Sequence, residues 1–175
     1  IDAETGKLIW ENELGGMANM SSCAVFEDKI YVSMSLEAYI HCLDAKTGKV
    51  IWRGTIPGAV NTGMGDVSPA VADGIVIMDA VNNVKKENNK KTMATGVSAY
   101  DANTGEVLWS RQMGRGPEPP AFKGGMPMIH NGVVYVGTPV NSVYQAFDLK
   151  TGDVLWTWQV PDPGPAGAGR GPATY

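Results

Sequence analysis

Few charges, few cysteines and no long apolar run mark this sequence. Charged residues make up 18% of it, below the ~25% usual for soluble domains, which argues against a coiled coil, a helical bundle or a disordered tail. No stretch of 18 apolar residues occurs, so no membrane-spanning segment is expected. There is no cationic surplus. The net charge is −4, and nucleic acid is not expected as a partner. The two cysteines, Cys23 and Cys42, are too few for a disulfide framework or a structural zinc site, and without a Cys-x-x-Cys-His run no haem is expected. The opening residues Ile1-Asp2-Ala3 include no initiator Met, basic n-region or apolar h-region, so no signal peptide is read in this segment. Glycine and proline, by contrast, are plentiful, with 22 and 11 residues in 175. That composition suits a turn-rich, all-β chain long enough for a sizeable core.

One motif recurs four times. Asp2-Ala3-Glu4-Thr5-Gly6-Lys7-Leu8-Ile9-Trp10 returns from Asp44 to Trp52, from Asp101 to Trp109 and from Asp148 to Trp156, with Asp, Thr, Gly and Trp at fixed offsets. The copies are 42, 57 and 47 residues apart, the range of a four-stranded propeller blade. Asp and Thr can hydrogen-bond their own backbone to close a turn, and Gly accepts the positive φ such a turn needs. Trp10, Trp52, Trp109 and Trp156 are read as structural docking residues, one apolar plate per repeat packed in the core between neighbouring sheets.

Between the corners, short apolar runs are separated by Glu27-Asp28, Asp73-Gly74 and Asn131-Gly132, the last two being strong hairpin signals. Each unit reads as a meander of strands A to D with the Trp on D. The expected division is a last strand of a partial blade at 1–14, blades at 15–56, 57–113 and 114–160, and the first strand of a further blade at 161–175. A loop insertion at 82–95 holds Lys85, Lys86, Lys90 and Lys91 and reads as a solvated loop, with a contact for an acidic partner as the alternative. About three complete blades with partial blades at both ends leave open edges, so the remaining blades of a longer chain, or a second copy, are expected partners. Cys23 and Cys42 fall on strands A and C, about 9.6 Å apart at ~4.8 Å per strand, too far for a disulfide. Both are expected as buried thiols. His41 and His130 stand singly and read as structural.

The motif resembles that of the quinoprotein alcohol dehydrogenase-like (PQQ-repeat) β-propeller family over essentially the whole chain. The resemblance implies an all-β segment of an eight-bladed propeller working in the periplasm or outside the cell. The family includes pyrroloquinoline quinone (PQQ) dehydrogenases with calcium, non-catalytic outer-membrane assembly scaffolds and tetrathionate hydrolases, so fold does not fix function. Arg170-Gly171-Pro172-Ala173-Thr174-Tyr175 resembles the run that follows the first full blade of PQQ alcohol dehydrogenases, which implies Arg170 as a cofactor-binding residue. A guanidinium suits a carboxylate of PQQ. Those enzymes carry two adjacent Cys just before this Arg, where this sequence has Ala166-Gly167-Ala168.

In a meander the D-to-A and B-to-C connections share one face and the Thr-Gly corners occupy the other. The D-to-A loops at 57–67, 114–125 and 161–169 are therefore the expected functional face. Asp66, Glu118 and Asn141 lie there as weak metal candidates. Asp66 reads either as a turn acid or as the general acid/base of a hydrolase. The missing Cys pair favours a ligand-binding or protein-interaction scaffold, with a small molecule or a protein as partner. The alternative is a PQQ-dependent alcohol or sugar dehydrogenase, and the second alternative a quinone-free hydrolase of the tetrathionate type.

Overall fold

Alternating apolar residues and turn-forming pairs build three antiparallel sheets, with no helix among the described residues. The computed structural model describes residues 1–15, 22–34, 37–61, 68–87, 90–117, 126–138 and 143–161, and at 59–61, 81–87, 90–91, 93, 114–117 and 138 the backbone only. The first sheet is β1 (Ala24–Phe26), β2 (Lys29–Ser33), β3 (Tyr39–Asp44) and β4 (Val50–Thr55), paired in chain order. In the second, β7 (Ile75–Glu87), β8 (Lys90–Asp101) and β9 (Val107–Pro117) pair in order, and both β5 (Ala59–Asn61) and β6 (Ala70–Ala72) pair with β7. The third is β10 (Met128–His130), β11 (Val133–Thr138), β12 (Val143–Asp148) and β13 (Val154–Gln159). β1 touches β6 and β6 touches β10. The first strands are thus neighbours from which the sheets spread, as blades do in a propeller.

Local chemistry fixes both kinds of turn. The hairpins after β1, β6 and β10 turn at Glu27, Asp73 and Asn131, with φ of 54°, 51° and 47°, the left-handed region that short hairpin loops demand. At every corner the Asp backbone N–H donates to the carbonyl five residues on, and the Gly N–H donates back to the Asp carbonyl, all within 2.8–2.9 Å. The Asp carboxylate accepts the Thr backbone N–H at 2.7–2.8 Å. A register shift falls at Cys42/Leu43, Ala99/Tyr100 and Ala146/Phe147, the same place in each sheet, where the third strand bends into its corner.

Strand periodicity then sorts the core. Val76, Met78 and Ala80 of β7 join Tyr31, Ile40 and Cys42 between the first two sheets. Ile75 and Ile77 join Val134, Val136 and Phe147 between the second and third. The indole N–H groups of Trp10, Trp52 and Trp109 donate to the carbonyls of Ala45, Ala102 and Leu149 at 2.9, 3.1 and 2.9 Å. Each ring lies flat on the glycine of the next corner. A Cβ at Gly48 would overlap Trp10, one at Gly105 would lie 2.6 Å from Trp52, and one at Gly152 2.5 Å from Trp109.

Several expectations need correction. Trp109 is buried, but Trp10 and Trp52 are half-buried and Trp156 is 46% exposed, because no further corner lies over its ring among the described residues. Residues 1–14 form no strand, since no other described strand is there to pair with them. The insertion at 82–95 is not a loop: it extends β7 and β8, which stay paired out to Glu87↔Lys90, while β9 runs on to Pro117, opposite Thr92. The connections at 57–67 and 114–125 likewise contain strand, at Ala59–Asn61 and up to Pro117. Both cysteines are free, but only Cys42 is buried. Cys23 precedes β1 and is exposed.

Candidate functional site

The corner face is committed to structure. The Thr5 and Thr47 hydroxyls hold the Asp2 and Asp44 carboxyls below the usual carboxylate range. For Asp101 and Asp148 the backbone N–H groups of Thr104 and Thr151 do most of this. Carboxylates stabilised as acceptors are poor proton carriers. Burial pushes the Cys42 thiol up to about 11 and the Tyr31 and Tyr100 phenols well above their ordinary value. None of the three is a ready nucleophile near neutrality.

The opposite face collects the far ends of the strands. The candidates expected there, Asp66, Glu118 and Asn141, and the cofactor candidate Arg170 all lie outside the described residues. Their described flanks are the ends of β5, β6, β9, β11 and β12, together with the tip of the β7–β8 hairpin.

Polar groups do gather at this end of the first sheet. Nε2 of His41 stands 3.4 Å from a Glu37 carboxylate oxygen. His41 is itself buried and sits opposite Arg53 in the β3–β4 ladder. The Arg53 guanidinium lies 4.3 Å from the centre of the Tyr39 ring. A carboxylate beside an imidazole can exchange a proton. This grouping was legible only as a single histidine in a strand.

Asp79 was missed altogether. It is fully buried in β7, opposite Val97, and strand alternation puts it on the side of Ile75 and Ile77, facing the third sheet. The sequence signal is one acid interrupting the apolar run Ile75-Val76-Ile77-Met78. Arg111 is taken up by the fold: it donates to the carbonyls of Gly152 and Thr151 at 2.9 and 3.0 Å. Among the described residues, no three His, Cys, Asp or Glu side chains are grouped as metal ligands. No described helix is long and apolar enough to cross a membrane.

With this geometry in hand, likeness to known proteins becomes informative. The family model described as outer membrane protein assembly factor BamB matches residues 1–169. A tetrathionate hydrolase from Acidithiobacillus ferrooxidans is 56% identical over 176 residues, covering all of this chain and 35% of that protein. The chain thus spans about a third of the length of the curated relative it matches. Among solved structures, BamB from Moraxella catarrhalis aligns with a TM-score of 0.67 at 19% identity, over 91% of this chain and 46% of that one. A europium-containing methanol dehydrogenase aligns at 0.63 and 20% identity, over 91% and 28%. At such identities these two likenesses speak for the fold alone.

Proposed function

The chain belongs to the PQQ-repeat β-propeller family, and from that premise we propose that it is a segment of an enzyme that hydrolyses tetrathionate. The observation that carries this reading is the 56% identity to a tetrathionate hydrolase, in an alignment that covers all of this chain and 35% of that protein. That identity favours the hydrolase over the scaffold and the dehydrogenase as the reading to test first. Hydrolysis of a polythionate requires water to attack one sulfur while a neighbouring sulfur leaves with the electron pair of the S–S bond. A positioned acid or base manages the proton. Asp66 is the residue we assign to that task. A location in the periplasm or outside the cell belongs to the same proposal and is supported by membership of this family.

The scaffold reading draws support from the family model's description. The dehydrogenase reading would use Arg170 to hold a PQQ carboxylate. One experiment separates the three. The full-length protein is incubated with tetrathionate, and separately with PQQ, calcium, an alcohol and a dye acceptor. Tetrathionate loss without added quinone, abolished in Asp66→Asn, is the expected result. Dye reduction that needs PQQ, or no turnover of either substrate, overturns the hydrolase reading.

A further inference from the structure

The second sheet is longer than its neighbours on one side only. β7, β8 and β9 contain 13, 12 and 11 residues, whereas β11, β12 and β13 contain 6 each. The excess lies at the end away from the corners and forms a three-stranded ribbon there. Its last rungs are Lys85↔Thr92, Lys86↔Lys91 and Glu87↔Lys90. Four lysines against Glu87 give them a charge of +3, so the remainder of a chain of net −4 carries −7. Much of that negative charge sits at the other pole, in the turns and corners that hold Asp28, Asp44, Asp73, Asp101, Asp148 and Asp153. At ~3.3 Å per residue the ribbon tip stands about 40 Å from the Asp101 corner along the strands. A Debye length is only ~8 Å at physiological salt. The acidic pole therefore does not cancel the field at the tip. Lys86 and Lys91 are register partners in this ladder, so the backbone brings lysines of both strands to one end of the sheet.

Resting on the hydrolase reading, we propose that this ribbon is an anion-capturing element: it concentrates a small sulfur-oxyanion dianion at the end of the second sheet away from the corners. A charge of +3 at the ribbon and acids at the corners give these 175 residues a polarity that draws dianions toward the ribbon. Fields of this kind raise encounter rates by ~10–10³-fold and fade with salt.

The test compares two variants of the full-length protein with the same change in charge. One is K85Q/K86Q/K90Q/K91Q in the ribbon, and the other K7Q/K46Q/K49Q/K150Q at the corners. The expected result is that the ribbon variant loses about 10-fold in kcat/KM for tetrathionate at low ionic strength, keeps its kcat and loses most of its salt dependence. The corner variant keeps wild-type kcat/KM. Equal losses in both variants, or none in the ribbon variant, overturn the proposal. A second readout needs neither turnover nor a variant: amine acylation of the wild-type protein, mapped by mass spectrometry. Tetrathionate, against potassium chloride of equal ionic strength, is expected to protect Lys85, Lys86, Lys90 and Lys91 but not Lys46 or Lys150. Uniform reactivity overturns the capture role. Wild-type protein without turnover defeats the hydrolase reading, and the acylation pattern then decides the ribbon's role by itself.

Discussion

Replacing Gly152 by Ala probes how successive sheets are held together. Gly152 has φ +69°, and a Cβ there would lie 2.5 Å from Cδ2 of Trp109 and 2.8 Å from two further ring atoms. Two penalties combine. A left-handed backbone costs a non-glycine residue ~1–2 kcal/mol, and forcing a methyl into a packed contact adds ~1–3 kcal/mol. Gly132 in the same sheet provides the control. Its φ is +74°, but nothing lies within 4 Å of its Cβ position, so Gly132→Ala should cost only the backbone penalty of ~1–2 kcal/mol. Urea unfolding of the full-length protein, followed by tryptophan fluorescence, should show Gly152→Ala less stable than Gly132→Ala by ~1–3 kcal/mol. In a Trp109→Ala background, itself costing ~3–5 kcal/mol, that excess should vanish because the ring it strikes is gone. Equal losses in the two glycine variants, or an excess that survives removal of Trp109, would refute the ring-on-glycine packing.

Three further outcomes follow from the same coordinates. The corner carboxylates titrate below the ordinary 3.8 in the fold, so their contribution is complete above that value and is lost as pH falls through the lower folded values. Asn at Asp44, Asp101 and Asp148 together should flatten the acid limb of the stability–pH curve, and an unchanged limb would contradict it. A thiol reagent at pH 8 should label exposed Cys23 at once. Cys42, buried and with its thiol pushed up to about 11, should react only on unfolding, and fast labelling mapped to Cys42 would contradict this. The Tyr31 hydroxyl donates to the Ala102 carbonyl at 3.1 Å, and Trp52 donates to the same oxygen. Tyr31→Phe therefore leaves that carbonyl satisfied and should cost only ~0.5–1.5 kcal/mol in denaturation midpoints. A loss above ~3 kcal/mol would contradict the shared acceptor.

What could be read in advance was whatever residues do locally. Asp101, Thr104 and Gly105 close their corner with bonds among themselves, so three letters at fixed offsets suffice, and Asp73-Gly74 turns a hairpin wherever two apolar runs flank it. The ribbon escaped because Asn82, Asn83, Lys85 and Lys86 break the apolar alternation. Its strand character comes from pairing across the hairpin with β8, which pairs in turn with β9. Asp79 escaped for the converse reason: its burial depends on a third sheet some fifty residues downstream. The exposure of Trp156 depends on what covers it, which no local pattern states. Topology points to Asp66, Glu118 and Asn141, and the family resemblance to Arg170, and all four lie outside the described residues.

The most direct measurement is a structure of the full-length protein with tetrathionate bound. The account expects the dianion on the face away from the Asp-Thr-Gly corners, beside the loop that carries Asp66 and within reach of the lysine ribbon. Density for it among the corners, or at the edge of the third sheet beside Trp156 and Trp158, would contradict the assignment.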